Sequence, residues 1–229
     1  MKDSKVYKIG SMFCNEKGLI TLRNLTSLML NISTIQADRV EKNLEAMDKK
    51  VWLLYSWDIE FLKPIGEKDE IEITTIPTHM KSFYAYRNFL VKKDGEILAR
   101  AKASFVLFDK EKLRAAIIDK TVADAYGKSF EEYGGKAYKK IKDFDNSKDI
   151  YIRRADFDKN LHVNNGVYFD YIKEIPDFDE KNLSYIKMVY KNQIKEEEKV
   201  GLFYKVKEKR VDFKIGSEAD HAYGVVVYV

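Results

Sequence analysis

The chain repeats itself. Glu16-Lys-Gly-Leu-Ile-Thr is answered by Asp158-Lys-Asn-Leu-His-Val at a displacement of 142 residues. Ile65-Gly-Glu-Lys-Asp-Glu-Ile is answered by Ile194-Lys-Glu-Glu-Glu-Lys-Val at 129, and the span Asn88–Val106 by Val211–Val229 at 123. The matches keep one order and the displacement shrinks along the chain, so the second copy has the shorter loops. A tandem duplication follows, and it constrains the fold strongly, because both copies must carry the same order of elements.

That order is legible in the first copy. Val6–Phe13 reads as a short strand, followed by a polar turn at Asn15–Gly18. Leu22, Leu25, Leu28 or Met29, Ile32 and Ile35 recur at helical spacing and predict a helix within Leu19–Val40. Strand-like runs then take over. Val51–Leu62 is rich in aromatic and β-branched residues, and Glu70–Pro77 alternates Ile with polar residues. Ser82–Lys92 and Glu96–Phe108 flank Lys93-Asp94-Gly95, a hairpin turn. One helix followed by an antiparallel meander is an α+β unit whose sheet curls around the helix. From Ala116 to Ile150 the pattern loosens, with Gly127, Gly134-Gly135, a short helix at Ala123–Tyr126 and a charged run from Lys136. The expected organisation is a first unit at 1–125, a linker at 126–148 and a second unit at 149–229, with its helix at Val167–Ile175.

Composition excludes several classes. With 229 residues, 45% hydrophobic and 34% charged, and only 11 Gly and 3 Pro, the chain is globular rather than disordered or collagen-like. A lone cysteine, Cys14, rules out a disulfide framework or a Cys-rich zinc site and reads as a small buried apolar residue. No apolar run approaches the roughly 18 residues of a membrane helix, and none follows the start as in a secretory leader, so the expectation is a cytoplasmic protein without membrane insertion. The net charge of +4 is the small difference of 41 basic and 37 acidic groups, which does not mark a nucleic-acid binder. Two basic clusters, Lys136, Lys139, Lys140 and Lys142, and Lys205, Lys207, Lys209 and Arg210, are either solvated surface or a dock for an acidic partner.

The copies differ where chemistry can sit. Gly18 and Ile20 of the first stand opposite Asn160 and His162 of the second, with Asp158 just before. Side chains two apart in an extended segment share a side, which would gather a carboxylate, an amide and an imidazole. Backbone N–H groups at the start of the following helix would offer an oxyanion site, and an activated water could attack a carbonyl held there. The bland reading is that Asp156, Asp158, Asn164 and Asn165 are turn and capping residues. His162 resists it: His79 and His221 lie in strand-like contexts and read as structural, whereas His162 sits in a dense polar segment at a helix start. No Ser or Cys stands beside it for a covalent mechanism, and one His among scattered acids lacks metal-ligand spacing.

Arg153-Arg-Ala-Asp-Phe-Asp-Lys-Asn-Leu-His-Val-Asn-Asn-Gly-Val-Tyr-Phe resembles the D-x-N-x-H-V-N-N-x-x-Y motif of acyl-acyl-carrier-protein (acyl-ACP) thioesterases. Phe83-Tyr-Ala-Tyr-Arg-Asn-Phe is similar to their F-x-A-Y-R-D-F segment, and Trp57-Asp-Ile-Glu and Gly66-Glu-Lys-Asp-Glu-Ile-Glu-Ile fall in the expected order. The resemblance implies a tandem hotdog fold, two helix-wrapping antiparallel sheets joined back to back, and hydrolysis of fatty acyl thioesters. It places the catalytic Asp, Asn and His on Asp158, Asn160 and His162. The family's later glutamate, in a Y-x-x-E segment, falls on Gln193 of Tyr190-Lys-Asn-Gln, and a glutamine can orient a water but cannot take its proton. Asn164, Trp52 and Trp57 are candidate substrate contacts, although core packing explains the tryptophans equally well. Lys136, Lys139, Lys140 and Lys142 become a dock for the acidic carrier. The implied partner is acyl carrier protein, whose phosphopantetheine arm enters with the substrate, so no separate cofactor or metal is expected; the protein would be a monomer or a homodimer. The alternatives are an acyl-CoA hydrolase of hotdog type and an impaired protein that only binds acyl thioesters.

Overall fold

The computed structural model describes residues 1–130 and 133–229; the expected linker at 126–148 includes residues 131 and 132, which lie outside the described residues. The elements are β1 (Asp3–Lys8), α1 (Leu22–Glu41), β2 (Lys50–Phe61), β3 (Glu70–Lys81), β4 (Tyr84–Lys93), β5 (Glu96–Asp109) and the short β6 (Arg114–Ala115). There follow α2 (Lys120–Tyr126), β7 (Asn146–Tyr151), α3 (Val167–Ile172), β8 (Leu183–Tyr190), β9 (Lys199–Lys207), β10 (Arg210–Gly216) and β11 (Asp220–Tyr228). The strands form one sheet in the order β1-β3-β4-β5-β2-β8-β11-β10-β9-β7, with β6 beside β5. Taken from its two ends, that order presents the same arrangement twice: β1, β3, β4, β5 and β2 correspond to β7, β9, β10, β11 and β8. The repeat in the sequence is a repeat in the sheet.

Each unit packs its helix on the sheet. Leu22, Leu25, Met29 and Ile32 of α1 are buried against Ile71, Ile73, Phe89, Val91 and Ala101, the stripe the 3.6-residue spacing requires. Thr21 caps α1, its hydroxyl accepting from Asn24 N at 3.2 Å. Leu19 and Ile20, expected inside the helix, instead bridge to Gly66 and Cys14. The first strand likewise ends at Lys8, and Ser11–Phe13 winds into a single 3-10 turn. The second unit's helix is only six residues long rather than extending to Ile175. Pro176 follows directly and disfavours helical backbone at the residue before it.

The units do not sit back to back; they join edge to edge. Ser56–Glu60 of β2 pair antiparallel with Tyr185–Val189 of β8, Asp58 opposite Lys187. This arrangement removes two sheet edges whose N–H and C=O groups would otherwise need other partners. Both helices consequently lie on one face, where Arg23 of α1 meets Asp170 of α3 at 2.8 Å.

The chain between the units crosses the opposite face. Side chains alternate along a strand, so Trp57 and Ile59 point into the core while Asp58 and Glu60 point away from it. Buried Asn88 holds the crossing segment as a strand would, accepting from Tyr133 N at 3.1 Å and donating to Tyr133 O at 2.8 Å. Asp58 accepts from Tyr133 Oη and from Lys136 N, both at 3.1 Å, and is ion-paired with Lys187. Gly135 lies between these contacts with φ +77°, and a Cβ there would stand 2.9 Å from the Asp58 carboxyl carbon. Tyr138 then donates to Gly224 O at 3.0 Å. The crossing segment is clamped over the β2–β8 seam.

Candidate active site

The loop between β7 and α3 is built by carboxylates. Asp156, buried, accepts from Arg153 N at 2.9 Å, from the Arg153 guanidinium at 2.8 Å and 3.0 Å, and from Tyr171 Oη at 2.9 Å. Burial alone would raise the Asp156 pKa, but these donors outweigh it and hold the carboxyl below the ordinary carboxylate range. The loop therefore leaves Asp156 in a fixed direction.

Asp158 then shapes the next turn. Its Oδ1 accepts from Asn160 N at 2.7 Å and from His162 N at 3.3 Å, and its Oδ2 faces Asn160 Nδ2 at 3.4 Å. Asp158 N donates in return to His162 O at 2.8 Å, and Leu161 sits at φ +59°. The segment is a tight turn and not the extended run the sequence suggested; an aspartate side chain that bonds the backbone two residues on favours such a turn. The Asp158 carboxylate thus meets the Asn160 amide and the backbone N–H of His162, through the turn and not through strand alternation. The His162 ring makes no hydrogen bond among the described residues, so both of its nitrogens are available.

The expected oxyanion site at the helix start is not formed by the groups nearest to it. Asn164 N donates to Asp156 O at 2.9 Å, Gly166 N to Asn164 Oδ1 at 2.8 Å, and Val167 N to Asn164 O at 2.9 Å. These donors are consumed by the turn into α3. What remains open is a cleft of about 330 Å³ between α1, β2 and the loop leading into α3, lined by Thr26, Leu30, Leu54, Trp57, Asn164 and Gly166 among others. Asn164 and Trp57 both line this cleft. Trp52 does not line the cleft; its indole N–H donates to Glu41 Oε1 at 2.7 Å.

Comparison with known proteins fits this geometry. The family model described as the acyl-ACP thioesterase N-terminal domain matches residues 2–126, and that of the C-terminal domain matches residues 138–226. The chain belongs to the acyl-ACP thioesterase family. A chloroplastic oleoyl-acyl carrier protein thioesterase of Arabidopsis thaliana is 26% identical over 166 residues, which is 65% of this chain and 45% of that protein. The chain therefore spans about half the length of the curated relatives it matches. An acyl-ACP thioesterase of Bacteroides thetaiotaomicron superposes with a TM-score of 0.87 at 16% identity, over 100% of this chain and 98% of that one. The 12:0-ACP thioesterase of Umbellularia californica gives 0.86 at 17%, over 100% and 97%. These structures share the double-hotdog fold with this chain.

The remaining family positions are placed as follows. Gln193 lies in the loop after β8, exposed and without a hydrogen bond among the described residues. Val163 N donates to Ile194 O at 3.0 Å, so the strand of loop carrying His162 runs against the one carrying Gln193. Of the four linker lysines, Lys136 pairs with Glu60 at 2.9 Å and Lys140 with Asp220, while Lys139 and Lys142 are exposed. Cys14 is half-buried, its thiol pKa raised by burial and then by Glu67 and Asp69, which unfits it as a nucleophile. Among the described residues, no helix is long and apolar enough to cross a membrane.

Two acids that the sequence does not single out, and a histidine that it reads as structural, flank these loops. Glu180 sits at the start of α1, where Leu22 N donates to Oε1 at 3.4 Å, Asn15 Nδ2 to Oε2, and Lys173 Nζ lies 3.4 Å away. The turn of the first copy that corresponds to the Asp158–His162 loop is therefore filled. His221 and Glu197 meet beside the Gln193 loop. No local signal announces either, because the partners are brought together only by tertiary contacts.

Proposed function

We propose that the chain hydrolyses fatty acyl-ACP thioesters to a free fatty acid and the carrier thiol. The observation that carries this reading is the Asp158 turn: one carboxylate binds three N–H donors of Asn160 and His162, two residues before the Asn164–Gly166 segment that lines an open cleft, in the half of the molecule whose counterpart is filled. Asp158 is the builder of the loop. Its oxygens are already occupied by donors, whereas the His162 ring is unengaged and can take a proton from water. Water attacks the thioester carbonyl as His162 accepts its proton; the new C–O bond forms, the C–S bond breaks, and the proton passes to the departing thiolate. The Asn160 amide orients the carbonyl or the water, and Gln193 occupies the fourth position as a hydrogen-bonding group. The first unit shapes the acyl pocket with Trp57 in its wall. The carrier's phosphopantetheine arm is part of the substrate, and the linker lysines form its dock, with Lys139 and Lys142 supplying the charge not paired with the sheet.

The test is release of free thiol from a panel of acyl-ACPs, short to long, for the native chain and Gln193→Glu. Turnover of a particular length by the native chain supports the reading. Turnover by Gln193→Glu alone makes the native chain a disabled enzyme, a reading the missing carboxylate favours. Turnover by neither rejects hydrolysis, and turnover of acyl-CoA in preference rejects the carrier.

A further inference from the structure

The loop carrying Gln193 is pinned on both sides of that residue. Lys191 N donates to His221 O at 2.8 Å, and Asn192 Nδ2 donates to Asp220 O at 2.8 Å. The His221 ring, buried, places Nδ1 at 3.3 Å from Asn192 O, a carbonyl that can only accept. On its other side Nε2 lies 3.1 Å from Glu197 Oε1 and 3.3 Å from Ser217 Oγ. Glu197 closes the loop from the far end: its Oε2 accepts from Lys195 N at 2.9 Å and from Glu196 N at 3.1 Å. Burial would raise the Glu197 pKa, but these backbone donors and the charge of His221 outweigh it and hold the carboxyl low. One imidazole thus spans the loop from Asn192 to Glu197, with Gln193 inside the span.

The first unit shows what the fold alone asks for at this place. There Asp69 accepts from Gly66 N at 2.7 Å and pairs with Lys93 at 2.7 Å, tying the corresponding turn to the base of its hairpin. A flexible surface lysine is enough where no chemistry occurs. The second unit replaces it with a buried ring that also reaches the carbonyl next to Gln193. That additional contact is what a structural tie does not need.

We propose that His221, held by Glu197, is a positioning residue that fixes Gln193 against the His162 loop. The inference rests on the thioesterase reading above and deepens it. Misplacing a group by about 1 Å can cost on the order of a hundredfold in rate. His221→Ala is therefore expected to lower kcat on acyl-ACP by roughly tenfold to a hundredfold with KM little changed. The decisive readout is coupling. In a Gln193→Ala background, His221→Ala should lower kcat no further, although it lowers thermal stability as much as it does in the native background. Glu197→Gln, which is partly exposed and keeps an acceptor, should repeat the coupling with less loss of stability should His221→Ala fail to fold. Additive losses in kcat would reduce His221 to a structural tie and overturn the proposal. So would a Gln193→Ala chain as active as the native one, since there would be nothing to position. A native chain inactive on every acyl-ACP fails the thioesterase reading itself, and that is seen before any variant is compared.

Discussion

Asp158 can be separated from a catalytic base by two substitutions. Its Oδ1 takes the N–H of Asn160 at 2.7 Å and of His162 at 3.3 Å, so Asp158→Ala leaves the turn without its acceptor. Hydrogen bonds to a charged acceptor contribute about 1.5–3 kcal/mol each when well formed, and the longer bond counts for less in an exposed loop. A loss of about 2 kcal/mol in the preference for the active turn corresponds to about a thirtyfold drop in its population. Asp158→Asn keeps an oxygen in the same place as a neutral acceptor, with about half that loss, or about fivefold. The expected kcat/KM on acyl-ACP is thus graded, native above Asn above Ala, with a spread near those factors. Steady-state thiol release at a single pH measures it. A carboxylate acting as the general base would behave otherwise, because Asn cannot accept the proton and both variants would fall together by on the order of a hundredfold to ten-thousandfold. Equal, large losses in Asp158→Asn and Asp158→Ala would refute the assignment of Asp158 to the loop and of the proton to His162.

Three further outcomes are expected. Gly135→Ala should destabilise the chain by about 3 kcal/mol, combining a left-handed backbone penalty of about 1–2 kcal/mol with displacement of the partly buried Asp58–Lys187 pair. Gly95→Ala, at φ +83° in open space, should lose only the backbone part; equal urea midpoints for the two would remove the seam from the explanation. Asp156 is depressed in the folded state, so its contribution to stability is complete above an unfolded value of about 3.9 and fades as pH falls through the lower folded value. Urea titrations from pH 5 to 2 should show Asp156→Asn less stable at the upper end and less sensitive to acid, and parallel curves would contradict this. Lys139→Glu with Lys142→Glu should raise KM for acyl-ACP and spare acyl-CoA; unchanged kinetics on both would take the dock away from the linker.

The sequence carried the architecture better than its joints. Periodicity located α1 and the meander because a helix stripe and strand alternation are local consequences of burial. The Lys93-Asp94-Gly95 turn was legible for the same reason, and Asp94 and Gly95 both take positive φ as a tight hairpin requires. The edge-to-edge junction was not legible, since pairing Asp58 with Lys187 depends on two strands far apart in the chain. The site was half legible. Asp158, Asn160 and His162 stand out by contrast with Gly18 and Ile20, but strand alternation is the wrong frame for them, because a turn-forming aspartate does not adopt an extended backbone. His221 reads as structural from the sequence because its partners, Asn192, Glu197 and Ser217, are supplied by other parts of the second unit.

Glu180 bears on how many substrates a chain can process. Two copies of one unit, assembled about an approximate symmetry axis, would present two equivalent helix starts and therefore two places for an acyl group. The Glu180 carboxylate occupies the start of α1, held by Asn15 and Lys173, while the 330 Å³ cleft remains open between the middle of α1 and the Asn164–Gly166 loop. On the proposed reading, the expected occupancy is one acyl group per chain. The first unit, relieved of any duty to hold a reacting carbonyl, is left free to vary its wall of α1 and β2 residues to suit the length of the chain it receives.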